Sequence, residues 1–217
     1  MIRAGEEWGS AASGPPDLVV RGDDAALAAA IAARPGALVR WTPAPGADLA
    51  RAIGLDAEAP PSREVPLDAL RIDAGPTAVN MIVVGTPPDR LRRFSRRIAV
   101  NVAVDGRSVP VAGAVTSIVI ATGEFLRGHD VVPRGHPGDG RAEVQVYALP
   151  PAQRRAARRR VRAGAHVPHP NIAQRSGTIV DISLAGRAAP LEVDGHPAGT
   201  ISTLRVRVQP GDFRLLF

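Results

Sequence analysis

Two groups of histidines and aspartates have spacings that could bind a metal ion. They are His129, Asp130, His136 and Asp139 in the first group, and His166 and His169 in the second. Imidazole and carboxylate groups are common ligands of zinc. Both segments are crowded with glycine and proline, however, and neither has the helical four-residue spacing of zinc signatures. The sequence therefore favours loop histidines that bond to backbone or solvent, or that face a polar cleft, over a metal site.

A second candidate for binding chemistry is a predicted helix over residues 151–161 that is rich in arginine. Its arginines, with one just beyond, are Arg154, Arg155, Arg158, Arg159, Arg160 and Arg162. Such a helix can bind an anionic membrane surface or nucleic-acid phosphate, and it is equally typical of a solvated helix face. We rank the solvated face first, the membrane second and nucleic acid third, because aromatic residues that stack on bases are missing.

The basic residues of the chain also restrict its chemistry. All 27 of them are arginine, and the formal net charge is +6. The absence of lysine excludes a Walker-type phosphate lysine and a Schiff-base lysine. Arginine favours bidentate contact with phosphate, so a nucleotide, a phospholipid headgroup or nucleic acid would suit the chain, although a coding bias would give the same composition. The absence of cysteine excludes thiol catalysis and disulfides.

Targeting signals are not apparent in the sequence. The N-terminus lacks the basic-then-apolar pattern of a signal peptide, and no apolar run approaches the roughly 20 residues of a spanning helix. We therefore expect a cytoplasmic protein that is soluble, or peripheral at the inner face of the membrane.

The predicted elements divide the chain into three parts. Residues 1–16 have no periodicity and are expected to form a flexible lead-in. Residues 17–75 follow the order strand, helix, strand, helix, with the helices at 25–33 and 48–53, which predicts a small parallel α/β domain. Residues 76–217 carry short strands at the spacing of an antiparallel β-sandwich, interrupted by the arginine-rich helix. The strands include a hairpin with its turn at Asp105-Gly106 and a last pair at 204–208 and 213–217. The predicted fold class is therefore α/β plus β, with a truncated N-terminal parallel α/β domain followed by a C-terminal antiparallel β-sandwich domain.

Five segments resemble, in the same order along the chain, motifs of the diacylglycerol kinase-like lipid kinase family. This family includes bacterial lipid kinases and sphingosine kinases and belongs to an NAD kinase-like superfamily. The segments are residues 19–25 (VVRGDDA), 44–51 (APGADLAR), 121–133 (ATGEFLRGHDVVP), 138–144 (GDGRAEV) and 191–195 (LEVDG). The first two resemble the family's GGDGT loop and GTGNDFAR segment. The other three resemble its NGxxxGGxxxxP, DGxLDV and VEVDG segments.

The resemblance implies phosphoryl transfer from ATP to a lipid hydroxyl, with Mg²⁺ as the second cofactor and a lipid alcohol as the substrate. It implies that Asp139 is the base that receives the hydroxyl proton and that Glu143 helps to orient a metal. The positions that match the family's nucleotide-binding segments are Gly22, Asp23, Gly46, Asp48 and Arg51. An ordinary hairpin turn is the alternative interpretation of Asp139 and the glycine that follows it.

The phosphate loop departs from the family's pattern. Arg21, Asp24 and Ala25 stand where the family has two glycines and a threonine, and Ala44-Pro45 replaces its Gly-Thr pair. Glycine lets backbone N–H groups approach phosphate closely, and proline has no N–H to donate. In addition, only 16 residues precede the first predicted strand, where the family usually has a further strand-helix-strand unit.

Three hypotheses follow from the matches and the departures. The chain is an active lipid kinase, a pseudokinase that binds lipid or nucleotide, or a basic nucleic-acid-binding module. The first two carry nearly equal weight and the third far less. Contact with an anionic membrane and assembly into a homo-oligomer are further expectations about its partners.

Overall fold

The computed structural model of the chain describes residues 8–56, 58–111 and 113–217. The first seven residues of the predicted lead-in therefore lie outside the described residues. The remainder of the lead-in, residues 8–16, includes a short strand that pairs with a longer one, at Ser10 with Glu64 and at Ala11 with Arg63.

The described residues form seventeen strands, three α-helices and one 3₁₀ turn. In chain order they are β1 (Ser10–Ala11), β2 (Leu18–Gly22), α1 (Asp24–Ala33), β3 (Leu38–Pro43), α2 (Asp48–Ile53), β4 (Arg63–Ile72), β5 (Thr77–Ala78), β6 (Met81–Gly85), the 3₁₀ turn (Pro88–Arg90), β7 (Val100–Val104), β8 (Arg107–Ser108), β9 (Ser117–Ala121), β10 (Phe125–Leu126), β11 (His129–Asp130), β12 (Ala142–Tyr147), α3 (Pro151–Val161), β13 (Ile172–Gly177), β14 (Ile179–Leu184), β15 (Ala189–Val193), β16 (His196–Ile201) and β17 (Thr203–Leu216).

Most of these strands belong to two sheets that pack face to face. The nine-stranded sheet has the order β1-β4-β17-β14-β7-β8, with β5 paired to β4, and with β3 pairing both β17 and β2. The six-stranded sheet has the order β13-β12-β9-β6-β15-β16, and β10 and β11 form a separate hairpin. Within the sheets of the described residues, the pairs β2–β3 and β3–β17 are parallel and the others are antiparallel.

Three apolar clusters hold these elements together. The first lies between the two sheets and includes Ile82, Ile118 and Val206, which are fully buried. The second lies where α1 and α2 cover the nine-stranded sheet, and the third lies where α3 covers the outer face of the six-stranded sheet. In α1, Leu27 and Ile31 are four residues apart and share the buried face of the helix. Burial of each such side chain stabilises the fold by about 1.5–3 kcal/mol.

The antiparallel β-sandwich predicted for the C-terminal part is confirmed. The N-terminal part contains one β2-α1-β3 unit with parallel strands, but those strands join the nine-stranded sheet through β17. A separate parallel α/β domain is therefore not shown, and the predicted boundary near residue 75 stays a prediction.

Some predicted elements agree closely with the structure. The predicted helices 48–53 and 151–161 coincide with α2 and α3. The two strands predicted at 204–208 and 213–217 are a single strand, β17, whose pairing with β4 is irregular between Gln209 and Phe213. Proline and glycine at positions 210 and 211 cause the apparent break in the sequence pattern. None of the helices in the described ranges has the length and apolar content needed to cross a bilayer.

Gly135 lies where the loop between β11 and β12 touches the end of β9. A Cβ atom at this position would lie 2.3 Å from the carbonyl oxygen of Gly123 and 3.0 Å from that of Thr122. Both neighbours are backbone atoms, which cannot move aside without shifting the strand. The loop that carries Asp139 can therefore approach the sheet this closely because residue 135 has no side chain.

We expect Gly135→Ala to lower the free energy of unfolding by about 2–4 kcal/mol, because the added methyl group overpacks against backbone. Gly14→Ala is the matched control, since a Cβ there meets nothing within 4 Å. We expect that control to change stability by less than about 0.5 kcal/mol. Urea denaturation of both variants checks the prediction, and equal effects would contradict the close approach.

Candidate functional site

The turn between β2 and α1 contains the first two predicted site residues. Gly22 ends β2 with φ at 135°, a conformation that glycine adopts readily. Asp23 caps α1, and its carboxylate accepts a hydrogen bond from the N–H of Ala26 at 3.0 Å. Nε2 of His196 lies 2.8 Å from the other carboxylate oxygen of Asp23. The N–H of Ala26 and the His196 ring together hold the pKa of Asp23 below its ordinary value.

Asp24, the first residue of α1, links this helix to two other parts of the molecule. Its side chain is buried and accepts hydrogen bonds from the N–H of Leu49 in α2, at 3.1 and 3.3 Å. It also accepts one from Nδ2 of Asn80 at 3.2 Å. Nδ2 of Asn80 donates in addition to the carbonyl oxygen of Phe125 at 3.0 Å. The carboxylate of Asp24 therefore occupies the space where α1, α2 and the start of β6 meet.

Asp194 is the second buried carboxylate of this region. It lies in the turn between β15 and β16 with φ at 46°. Its oxygens accept hydrogen bonds from three consecutive N–H groups, those of Val79, Asn80 and Met81, at 2.9–3.0 Å. Hydrogen bonds to a charged acceptor contribute about 1.5–3 kcal/mol each. This turn is therefore fixed to the chain segment that leads into β6.

The two buried carboxylates have raised pKa values. Burial raises the pKa of Asp24 to about 7, and the negative charge of Asp194 adds to that effect. Burial likewise raises the pKa of Asp194 to about 6, although its three N–H donors act in the opposite direction. Near neutral pH this pair therefore holds a proton for part of the time.

Asp48 begins α2 and fixes a neighbouring turn. The N-cap residue, Ala47, provides no side-chain hydrogen bond to the helix. The carboxylate of Asp48 instead accepts hydrogen bonds from the N–H of Arg127 and, at 2.7 Å, from that of Gly128. One turn further along α2, the guanidinium carbon of Arg51 lies 4.8 Å from the centre of the Phe125 ring. Both contacts hold the β10–β11 hairpin against α2.

The side chain of Arg127 extends this network away from α2. Its Nε and Nη2 atoms donate to the two oxygens of Asp89 at 2.9 and 2.7 Å, and Nη1 donates to Glu192. Burial acts to lower the pKa of Arg127, but the two carboxylates outweigh it and raise the value above its ordinary range. Arg127 is thus a permanent cation that joins the β10–β11 turn to the 3₁₀ turn and to β15.

Asp139 lies in the loop between β11 and β12, in a different set of contacts. Its Oδ1 atom accepts a hydrogen bond from the N–H of Arg141 at 2.9 Å. The next residue, Gly140, donates its N–H to Asp68 of β4 at 2.7 Å. Asp68 also accepts from the N–H of Gly211 at 2.9 Å. The loop of Asp139 is therefore fixed to the irregular part of the β4–β17 pair.

Two other carboxyl groups lie close enough to Asp139 to respond to its charge. Burial raises the pKa of Asp68, and the charge of Asp139 adds to this increase. Burial also raises the pKa of Glu143, again with a contribution from Asp139. Asp68, Asp139 and Glu143 therefore form a group of electrostatically coupled carboxyls.

The predicted site residues thus fall into two groups. Gly22, Asp23, Asp48 and Arg51 lie on the elements that Asp24 joins, and Gly46, with φ at 87°, lies in the turn that leads into α2. Asp139 and Glu143 belong to the second group. No hydrogen bond or ion pair within the described residues connects Asp139 to Gly22 or to Asp48. Their catalytic and binding roles stay predictions.

The histidines that the sequence offered as possible metal ligands have separate contacts and do not form one cluster. Nδ1 of His136 accepts from the N–H of Gly138 at 3.2 Å, and Nδ1 of His169 accepts from that of Asn171 at 3.0 Å. His166 is buried against the hydroxyl of Tyr147, and burial lowers the pKa of this histidine to about 4. In the part of the chain that the structure describes, no group of three or more histidine, cysteine, aspartate or glutamate side chains is arranged to hold a metal ion.

A groove opens between the two sheets on another side of the sandwich. Its volume is about 760 Å³. The apolar residues that line it are Ile72, Val102, Ile182, Leu191, Ile201 and Leu204. Pro76 and Ala198 also line a second cavity, of about 310 Å³, between α1 and the β15–β16 hairpin. The two cavities therefore adjoin each other, and the smaller one extends to Asp194 and His196.

The sequence patterns do not indicate the roles of four residues of the site, Asp68, Asn80, Arg127 and Asp194. Asn80 is a single polar residue within an apolar run, which is a usable signal for a buried hydrogen-bonding group. Asp194 precedes a glycine and looks like an ordinary turn residue. Its three N–H donors lie more than a hundred positions earlier in the chain, so no local pattern could indicate them.

Comparison with known proteins identifies a family and similar folds. The model of the family described as the YegS C-terminal NAD kinase beta sandwich-like domain matches residues 76–217, more than half of the chain. The fold is similar to a crystal structure of a diacylglycerol kinase from Bacillus anthracis str. Sterne, with a TM-score of 0.72 and 15% identity over 93% of this chain and 76% of that chain. It is also similar to yeast NADH kinase complexed with NADH, with a TM-score of 0.51 and 12% identity over 92% of this chain and 61% of that chain. No curated protein matches the chain.

The raised pKa of Asp24 predicts a specific dependence of stability on pH. The folded value of about 7 lies above the ordinary value of 3.8, so between these pH values the folded state holds a proton that the unfolded state has lost. The contribution of Asp24 to the free energy of unfolding is therefore present below about pH 4 and is lost as the pH rises to about 7.

We expect Asp24→Asn to be about as stable as the wild type near pH 4 and more stable above pH 7, by roughly 2–4 kcal/mol. Urea denaturation of both proteins across this pH range measures the difference in their free energies of unfolding. The other titrating groups are the same in both proteins, so their contributions largely cancel in this difference. Asp56→Asn, at an exposed position, is the control and should give a constant difference. A constant difference for Asp24→Asn would contradict its burial as a charged group.

Proposed function

Because the chain belongs to the YegS C-terminal NAD kinase beta sandwich-like domain family, we propose that it is a kinase-like protein that binds a lipid alcohol without turning over a nucleotide. One observation carries this proposal. In the region that resembles a phosphate loop, backbone N–H groups donate to carboxylates of the chain itself. The proposal corresponds to the pseudokinase hypothesis.

A phosphate-binding loop requires several backbone N–H groups that point at the ligand. In the β2–α1 turn and at the start of α2, two of these donors already have carboxylate acceptors. The N–H of Ala26 donates to Asp23, and that of Leu49 donates to Asp24. A phosphate at this position would have to displace those carboxylates and would also be repelled by them.

The residues present therefore do not fit ATP with Mg²⁺. Asp24 brings a carboxylate to the position where the loop of related kinases has a glycine, and Pro45 has no N–H before α2. The first departure adds negative charge where a phosphate would lie, and the second removes a backbone donor there.

The groove between the sheets supports the binding of a hydrophobic ligand. Its volume of about 760 Å³ lies within the usual range for sites that hold a small organic molecule. Apolar side chains form part of its lining, and Asp73, Asp181 and Arg205 are among the polar residues that also line it. An alkyl chain could displace water from the apolar part of the lining, and the polar residues could bind a hydroxyl group.

One observation favours a second candidate, ATP-dependent phosphoryl transfer to a lipid hydroxyl with Asp139 as the base. Asp68 and Glu143 lie close enough to Asp139 to be electrostatically coupled to it. Such carboxyl groups with displaced pKa values are common in sites of proton transfer. Coupled carboxyls also occur in purely structural networks, so this observation ranks below the blocked phosphate loop.

A phosphoryl-transfer assay separates the two candidates. With Mg²⁺, labelled ATP and short-chain diacylglycerol, we expect no labelled lipid. We also expect no rise in melting temperature with ATP alone, because the N–H groups of Ala26 and Leu49 already have carboxylate acceptors that would repel phosphate. If the wild type and Asp56→Asn transferred phosphate to the lipid and Asp139→Asn did not, the chain would be an active kinase. That result would contradict our proposal.

Binding in the groove is tested by filling it. We expect short-chain diacylglycerol to stabilise the wild type by about 2.7 kcal/mol at a concentration of 100 times its dissociation constant. Ala198→Trp should remove most of this stabilisation, because Ala198 lines both cavities. Ala33→Trp, at an exposed position of α1 outside both cavities, is the control and should retain it. If diacylglycerol stabilised the two variants equally, the groove would not be its binding site.

A further inference from the structure

The most basic region of the surface combines α3 with a neighbouring loop. The loop consists of residues 92–97 and has the sequence RRFSRR. We use the name basic surface for this loop and the exposed arginines of α3 together. These exposed arginines are Arg155, Arg159, Arg160 and the adjoining Arg162. Phe94 projects from the loop with 88% of its surface exposed, the highest exposure among the large apolar residues of the described chain.

The buried side chain of Arg154 fixes the loop to α3. It is 2% exposed, and its Nε donates to the carbonyl oxygen of Leu149 at 2.9 Å. Its Nη1 donates to the carbonyl oxygens of Arg93 and Ser95, the residues on either side of Phe94, at 2.9 and 3.1 Å. Phe94 is therefore presented to solvent by a loop that is anchored on both sides.

Further hydrogen bonds support the same loop. The N–H of Arg92 donates to Oγ of Ser95 at 2.9 Å. The guanidinium of Arg96 donates to the carbonyl oxygens of Arg187 and Ala188, both at 2.9 Å. Because the loop is anchored, Phe94 and the arginines on both sides of it form one fixed surface that is both apolar and cationic, and this combination favours contact with a partner.

The charge of the basic surface is not neutralised within the described residues. None of its arginines forms an ion pair or a hydrogen bond with an acidic side chain there, and the guanidinium of Arg96 donates to backbone carbonyl oxygens instead. Arg155 and Arg159 are four positions apart on α3, as are Arg158 and Arg162, so like charges are neighbours on the helix surface. The first turn of α3 contains no acidic residue. An anionic partner would relieve this repulsion.

We propose that the basic surface docks on an anionic lipid bilayer, with Phe94 inserted at the level of the acyl chains. Arginines on an amphipathic helix bind anionic headgroups, and an exposed phenylalanine gains from burial in the interface. Nucleic acid would use the arginines equally well, but it would leave Phe94 in water unless a base stacked on it. The exposed ring therefore favours the bilayer.

The basic surface is also connected to the candidate site. α3 packs against the 3₁₀ turn, and Asp89 of that turn binds the guanidinium of Arg127. The N–H of Arg127 donates to Asp48 of α2. Docking would therefore bring the elements of the candidate site to the membrane. The docking itself does not depend on lipid binding in the groove, so the two proposals can fail separately.

Flotation with lipid vesicles tests the docking. We expect the wild type to bind phosphatidylcholine vesicles that contain phosphatidylglycerol, with affinity that falls as salt rises, and to bind pure phosphatidylcholine weakly. Replacement of Arg155, Arg159 and Arg162 together by Gln should weaken binding by about 5-fold per arginine, on the order of 100-fold in total. Phe94→Ala should weaken it by roughly 5- to 10-fold.

Matched variants separate this surface from net charge and general hydrophobicity. Replacement of Arg21, Arg40 and Arg107 by Gln gives the same net charge from exposed positions outside the basic surface. Val19→Ala removes the other large exposed apolar side chain, which is 65% exposed. Neither control should change vesicle binding by more than about 2-fold.

Three outcomes would overturn the docking. The first is equal loss of binding in the two triple variants, which would indicate net charge alone. The second is equal binding to both kinds of vesicle. The third is that the wild type binds duplex DNA but not vesicles, and that the triple Arg155, Arg159 and Arg162 variant loses the binding of DNA. This result would assign the surface to nucleic acid. Unchanged urea denaturation of each variant confirms that folding is intact.

Discussion

The pairing of β4 with β17 is the constraint on which the rest of the structure depends. These are the longest strands of the described chain, and they run together from the space between the sheets to the region beneath α1 and α2. Leu70 and Val206 belong to the first core, whereas Leu67 and Phe213 belong to the second. Because β17 also pairs with β3, a single ladder joins the β-sandwich to the β2-α1-β3 unit, which is why no independent N-terminal sheet forms.

Buried carboxylates form a second set of connections, and they determine what the candidate site can do. Asp24, Asp48 and Asp194 each accept N–H groups from an element distant in sequence. A buried carboxylate without such donors would cost several kcal/mol, so these contacts are needed for the elements to meet. The contact of Asp24 uses the N–H of Leu49 at the start of α2, in the segment that resembles a nucleotide-binding motif.

Local sequence patterns predicted the elements whose formation depends on nearby residues. The helices α2 and α3 have their predicted bounds, and the turn at Asp105 and Gly106 connects β7 to β8. Among the strands of five or more residues, the patterns missed β4, β6, β13 and β16, and they interpreted β17 as two strands. The strand β6 is buried on both faces and lacks alternation, so its period gives no signal. The Pro and Gly residues within β17 suggested that a strand ends there. The strand nevertheless continues, because it pairs with β4 on both sides of them. For the site, the ordered motifs indicated the family, but not the contacts among its residues.

By itself, the sequence determined the chemistry that the chain lacks, the antiparallel β-rich character of its C-terminal part, and the family to which it belongs. These follow from composition, from strand periodicity and from motifs, all of which are properties of neighbouring residues. Only the tertiary structure decided that Asp24 and Asp194 would both be buried and coupled through their charges, that Asp68 would bind the loop of Asp139, and that Phe94 would be exposed among arginines. The physical reason is that burial and charge coupling depend on distances between residues far apart in the chain, which are fixed only when the sheets pack.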